Sequence, residues 1–247
     1  MYVTVLDFQV VGCDVLYYGN VQNDADLDAR FPGKLLCLHC DVSKADQLRR
    51  VFEVTKEKHG RVDVVVNNAG VVQENDLDTA IDVNLKGVIH GTRLALEYMS
   101  KTNGGTGGDV IALSSMAAFV AIPFFPVYTA TKSAILQYVR SLVSGKKHAS
   151  TGVRINCICP TMVKTRMLEL NPGQLEGSEE SIQEAAADMP PLMQPSGVAQ
   201  AVWKLLEDDR DLQGCSVFVN DAGYRIEPFE NKSKQTHQQL CKDMTPF

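Results

Sequence analysis

The sequence has no apolar run near the ~20 residues that a membrane-spanning helix needs, so no span is expected. Positive charge is in deficit: 24 Lys and Arg against 30 Asp and Glu give a net charge of −6. Nucleic-acid binders and binders of anionic membranes need a basic footprint, and the deficit argues against both. The opening Met1-Tyr2-Val3-Thr4-Val5-Leu6 lacks a basic n-region and a small-residue cleavage site, so no secretory leader is read and a cytoplasmic location is expected. The chain is not short of apolar residues: 45% hydrophobic with 22% charged suits a folded globule and excludes a disordered chain. At about 100–200 residues per domain, one generous domain is expected.

A disulfide framework is missing too. Seven cysteines, an odd number, are scattered at Cys13, Cys37, Cys40, Cys157, Cys159, Cys215 and Cys241, which reads as reduced thiols. Cys37-Leu-His-Cys40 has the CxxC spacing but no second copy, and it lies in a strand-like stretch. Residues i and i+3 of a strand face opposite sides, so no metal is expected there. The glycine-rich Asn103–Gly108 follows a helical stretch and precedes a strand. A phosphate cradle needs the reverse order, so these glycines read as a cap and a turn.

Short β-branched runs are present instead. Val62–Val66, Asp109–Leu113, Val153–Ile158 and Ser216–Val219 are continuous rather than alternating, as in strands buried on both faces. Val15–Tyr18 and Leu35–Leu38 read the same way. Helical patterns lie between them at 43–59, with Ser43 as N-cap, and at 76–101, 126–144 and 195–207. Strand and helix in alternation predict a doubly wound, parallel α/β sheet. The Glu-, Gln-, Ser- and Pro-rich segment 164–194 follows a late strand, where an insertion becomes a substrate lid.

Tyr128 and Lys132 stand four apart at the start of a helical stretch, hence on one face. A phenol with pKa near ~10 is a poor base at neutral pH, and a neighbouring ammonium favours the phenolate. The pair is a recipe for a general base acting on an alcohol. Ser114 and Ser115 close the strand before it, at the carboxyl edge of a parallel sheet, where active sites gather. Asn67-Asn-Ala-Gly70 follows another strand, and Asn84 sits mid-helix, where propensity disfavours it unless it serves a hydrogen-bonding purpose.

Asn67–Gly70, Asn84, Ser115 and Tyr128-x-x-x-Lys132 match, in order and spacing, the pattern of the short-chain dehydrogenase/reductase family, which the chain resembles from about residue 34 to residue 223. Within the family it is most similar to the NAD-dependent hydroxyprostaglandin dehydrogenase group, on the strength of Glu97–Gly108, Asn156–Pro160, Leu206–Asp209 and Leu212–Gly214. The resemblance implies a Rossmann-like fold and a hydride passed from a secondary alcohol to NAD. It implies Tyr128 as base, Lys132 as the group that lowers the tyrosine pKa and holds the nicotinamide ribose, and Ser115 as the holder of the reacting oxygen. Asn84 would position a water in the proton path. Asp41, beside Val42, would bond the adenine, Asn68 the adenosine ribose side, and Val163 and Thr165 the nicotinamide end. Phe125, with Ser115 and Tyr128, would contact an apolar, lipid-derived substrate such as a prostaglandin or hydroxy fatty acid. Two long helices, 76–101 and 126–144, pair copies in this family, so a homodimer is expected, with Ile135, Val139 and Leu142 as compatible outward positions, although a buried core face would look the same.

The chain departs from that family at its start. A glycine-rich TGxxxGxG turn should follow the first strand, yet the first glycines are Gly12 and Gly19. Tyr2–Leu6 runs almost directly into Val15–Tyr18, too close for a parallel crossover of about a dozen residues. Residues 1–230 are therefore read as one Rossmann-like domain incomplete at its N-terminus, with 1–33 an atypical or truncated cofactor half and 231–247 a polar tail. The aspartate expected after the second strand is replaced near Gly19, with Asn20, Asn23 or Asp24 as substitutes. No Arg or Lys stands there for a 2′-phosphate, which favours NAD over NADP. Weak cofactor affinity is expected. The alternative reading is a catalytically weak or inactive member, or a truncated isoform, that keeps the fold for binding or dimerisation.

Overall fold

A computed structural model describes residues 9–14, 33–168 and 191–230. Two parallel strands, β1 (Val10–Asp14) and β2 (Leu35–His39), pair from Val10 opposite Leu35 to Asp14 opposite His39. Helix α1 (Ala45–His59) follows. A second sheet has the order β3 (Val64–Asn67), β4 (Gly108–Leu113), β5 (Val153–Pro160), β6 (Ser216–Asn220), β7 (Gly223–Glu227), parallel except for the antiparallel β7 hairpin. Its helices are α2 (Leu77–Ile81), α3 (Gly87–Met99), α4 (Pro126–Val143) and α5 (Pro195–Glu207).

The period of two sorts strand residues onto two cores. Val110 and Ala112 of β4, with Ile155, Cys157 and Cys159 of β5, pack under α1, α3 and α4. Ile111 and Leu113, with Ile158, Val217 and Val219, face the other way against Ala201 and Leu205 of α5. A sheet covered on both faces is why these strands read as unbroken apolar runs. The two sheets share the first core, since Val11 and Cys13 of β1 and Val65 of β3 pack on the same cluster. Both halves of the chain thus meet on the α1–α3 layer although β1 and β3 are not hydrogen-bonded to each other.

Several expectations need correction. Tyr2–Leu6, Val15–Tyr18 and most of the 164–194 lid segment lie outside the described residues. The strand that is described, Val10–Asp14, was not anticipated, and the 20 residues between it and Leu35 leave ample chain for a parallel crossover. Ser43 does not cap α1: the N-cap is Lys44, while Ser43 donates its N–H to Asp41 Oδ1 at 2.9 Å. The expected 76–101 helix runs without interruption from Leu77 to Met99, passing through a π turn at Asp82–Lys86. Ile135 and Val139 are fully buried in the first core, so neither is offered to a second copy, while Leu142 packs against it half-buried. The apolar stripe of α4 is its core face.

Helix α3 crosses close over the strand ends. A Cβ at Gly87 would come within 2.9 Å of Val42 Cγ2, and one at Gly91 would overlap the Asn67 side-chain oxygen. Gly91→Ala therefore forces α3 or Asn67 aside. We expect a loss of about 1–3 kcal/mol, read as a lower midpoint in urea unfolding with unchanged slope.

Candidate active site

Helix α4 carries the Tyr–Lys pair on its first turns. Lys132 is buried, and its Nζ donates to the Leu113 carbonyl at 2.8 Å while lying 5.4 Å from the Tyr128 ring centroid. Burial drops the Lys132 pKa to about 8, against the smaller opposing pull of the Cys159 and Cys157 thiols. Tyr128 is also largely enclosed. Burial raises its pKa, and a hydrogen bond from Ser115 lowers it in part. In the chain alone burial outweighs the Ser115 hydrogen bond, so the phenol stands above its ordinary value.

The two serines after β4 part company, as neighbours at a strand end must. Ser114 turns inward and donates to the Lys132 carbonyl at 2.8 Å, locking α4 to β4. Ser115 faces the tyrosine, and its Oγ also accepts from the Ala117 N–H at 3.1 Å, capping the short turn Met116–Ala118. Tyr128, Lys132 and Ser115 thus come together from two elements.

Asn84 joins them through the loop after β3. It is fully buried on the π turn, with Oδ1 accepting from Val71 N–H at 2.8 Å and Nδ2 donating to Val71 O at 2.9 Å and Thr131 Oγ1 at 3.2 Å. The disfavoured mid-helix asparagine has its hydrogen-bonding purpose: it ties β3's end to α4. Its side-chain amide is held by these three bonds. Gly70 lies against the same group, where an added Cβ would sit 3.4 Å from both Asn84 Oδ1 and Lys132 Nζ.

Asp41 follows β2. Its Oδ1 accepts from Ser43 N–H at 2.9 Å, and its own N–H donates to Gln47 Oε1 at 2.9 Å. Burial pushes its carboxyl up, but Ser43, Lys44 and His39 outweigh that and hold it below the usual range. Val42 packs against the core beside Gly87. Asn68 is exposed at the carboxyl edge, and Thr165 is exposed beyond β5. Val163 is bridged to Met193, with Lys164 N–H donating to Met193 O at 2.9 Å. Phe125 meets Tyr128 edge-on, centroids 6.4 Å apart. Cys37 lies within β2 and Cys40 just beyond its end, so the strand argument covers only the first of the two, and no metal-ligand cluster is found among the described residues.

Two residues escaped the sequence reading. Asp14 ends β1, exposed, with Cys40 N–H donating to its carbonyl at 3.1 Å. It stands at the carboxyl end of the strand beside the one that leads to Asp41, whereas Asn20, Asn23 and Asp24 lie outside the described residues. Glu74 is buried and accepts from the N–H groups of Val127 and Tyr128. Its signal was an absence: Phe125, just before Pro126, cannot cap α4, so a remote acceptor was required.

Comparison with known proteins agrees with this architecture. The short chain dehydrogenase family model matches residues 4–175. The chain is 40% identical over 195 residues to 15-hydroxyprostaglandin dehydrogenase [NAD(+)] of Rattus norvegicus, covering 76% of this chain and 73% of that one. It is 36% identical over 226 residues to the Homo sapiens protein of the same name, covering 87% and 84%. It is also 31% identical over 206 residues to the 3-oxoacyl-[acyl-carrier-protein] reductase FabG of Thermotoga maritima, covering 79% of each. With the sheet order, the Tyr128–Lys132–Ser115 cluster and these matches in hand, the chain belongs to the short-chain dehydrogenase family.

Proposed function

We propose that this chain is an NAD-dependent oxidoreductase that oxidises a secondary alcohol on an apolar, lipid-derived substrate. The observation that carries it is the convergence of Tyr128, Lys132 and Ser115 at the carboxyl ends of β4 and its neighbours. When bound, NAD supplies the acceptor for the hydride that leaves the carbinol carbon. Ser115 Oγ holds the substrate oxygen. Tyr128 takes its proton, and the Lys132 ammonium offsets the negative charge that this base needs in order to form. The Phe125 ring beside Tyr128 makes an apolar wall, and relatives named for 15-hydroxyprostaglandin support a lipid alcohol with its hydroxyl on a chain.

The residues present fit the two ends of the dinucleotide. Asp14 and Asp41 offer carboxylates at adjacent strand ends for the adenosine half, with Val42 and Asn68 nearby on the same edge. Gly70, where a Cβ would crowd Lys132, leaves room for a close approach at the nicotinamide half, with Val163 and Thr165 on the loop beyond β5. Among the described residues no glycine turn joins a strand to a helix N-terminus for the pyrophosphate. Each charge-assisted hydrogen bond lost there is worth ~1.5–3 kcal/mol, so binding at millimolar rather than micromolar NAD is expected.

The test is absorbance of the reduced cofactor at saturating NAD with a 15-hydroxylated prostaglandin, a hydroxy fatty acid and a steroid alcohol. Turnover of the first two supports this reading. Calorimetry with no heat at millimolar NAD supports the second reading, a fold kept for binding alone, which the lack of a TGxxxGxG motif in the sequence favours. A homodimer and a cytoplasmic location are part of the first reading. With Ile135 and Val139 buried, the dimer contact falls on other positions of α3 and α4, and sedimentation velocity decides whether it forms.

A further inference from the structure

Helix α4 starts without a cap of its own. Phe125 has no capping side-chain bond and Pro126 has no N–H, so the first free donors are those of Val127 and Tyr128. Both point at one carboxylate brought from more than fifty residues away. Val127 N–H donates to Glu74 Oε2 at 2.7 Å and Tyr128 N–H to Oε1 at 3.0 Å. Glu74 is only 6% exposed, and among the described residues its partners are these amides rather than a cation. A buried carboxylate without a counter-ion is costly unless a helix N-terminus and its N–H groups take up the charge.

The loop that carries Glu74 is fixed at both sides. Val71 is held twice by Asn84, and Asp76 caps α2 by accepting from Thr79 N–H at 3.1 Å. Glu74 therefore transmits the position of a rigid loop to the backbone of Tyr128 itself. Resting on the dehydrogenase reading above, we infer that Glu74 is a positioning residue for the Tyr128 base, setting where its phenol stands through the N-terminus of α4. Its negative charge also cancels the positive helix end that would otherwise favour the phenolate.

Two variants separate the parts of this role. Glu74→Gln removes the charge and keeps one acceptor. Glu74→Asp keeps the charge and falls one methylene short. For both, kcat should fall about 10- to 100-fold, as expected for a displaced catalytic group, with KM for NAD and alcohol within about twofold of the parent. A merely structural residue would lower the melting temperature and leave kcat per folded molecule unchanged, which would overturn the inference. A second readout does not need turnover. The phenolate absorbance of Tyr128, taken as the difference from the matching Tyr128→Phe protein, should titrate about half a pH unit or more lower in Glu74→Gln. An unmoved midpoint overturns the inference. If the parent protein turns over no alcohol at all, the functional reading fails and the titration alone decides the role of Glu74.

Discussion

Tyr128→Phe should lower kcat for alcohol oxidation by about 10³-fold or more while leaving NAD affinity within a few-fold of the parent. The substitution deletes one oxygen and keeps the ring. The edge contact with Phe125 and the packing over Lys132 use the ring, so they survive. What disappears is the acceptor for the substrate's proton and the partner of the Ser115 hydroxyl. Removing a hydroxyl from an enclosed site without adding bulk should leave the melting temperature within about 2 °C of the parent. The measurement pairs the NADH absorbance rate with NAD binding by calorimetry on the same preparation. Full turnover by Tyr128→Phe would remove the phenol from the reaction and, with it, the proton path proposed here. Loss of NAD binding in the same variant would instead assign the hydroxyl to the cofactor.

The parts of this fold legible in the sequence are those set by local rules. Val110–Leu113 and Val153–Ile158 are apolar on both faces because helices cover both, and the strands formed there. Pro126 and Pro195 open α4 and α5, as a residue without an N–H can at a helix start. Tyr128 and Lys132 share a face by helical spacing alone. What stayed hidden depends on partners far along the chain. A helix shows its apolar stripe but not what covers it, so Ile135 and Val139 read equally well as interface or core. The π turn carries an Asn84 that meets Val71 and Thr131 together, contacts that no window of neighbouring residues records. Glu74 was invisible for the same reason: its two partners lie on α4. Val10–Asp14 is short and interrupted by Gly12 and Cys13. Only pairing with Leu35–His39 makes it a strand.

The second large effect concerns Lys132, whose burial links function to stability. Its pKa in the folded chain is about 8, against 10.5 for the free amine. The folded state therefore gives up the proton earlier than the unfolded state does. Between pH 8 and 10.5 the unfolded chain binds more protons, and stability rises with pH on account of this group. Below pH 8 both states are charged, and the full desolvation penalty stands. Lys132→Met removes the titration and fills similar space, although it leaves the Leu113 carbonyl without the donor that now reaches it at 2.8 Å. That lost bond to a charged donor, ~1.5–3 kcal/mol, roughly offsets the relieved desolvation near neutrality, so the two proteins should be of similar stability at pH 7. They separate on raising the pH, with the parent gaining about 3 kcal/mol relative to Lys132→Met by pH 10.5. Urea unfolding of both proteins at pH 7, 8.5 and 10 reads this directly, and parallel curves would mean that Lys132 is not held near pH 8. Turnover gives the other half of the argument. Without the ammonium the phenolate loses its offset, so kcat should fall about 10²-fold or more below pH 8, where Lys132 of the parent is charged, and the gap should narrow above it. A side chain that brings the fold no net stability at neutral pH, yet cannot be removed without losing the reaction, is there for the chemistry of Tyr128.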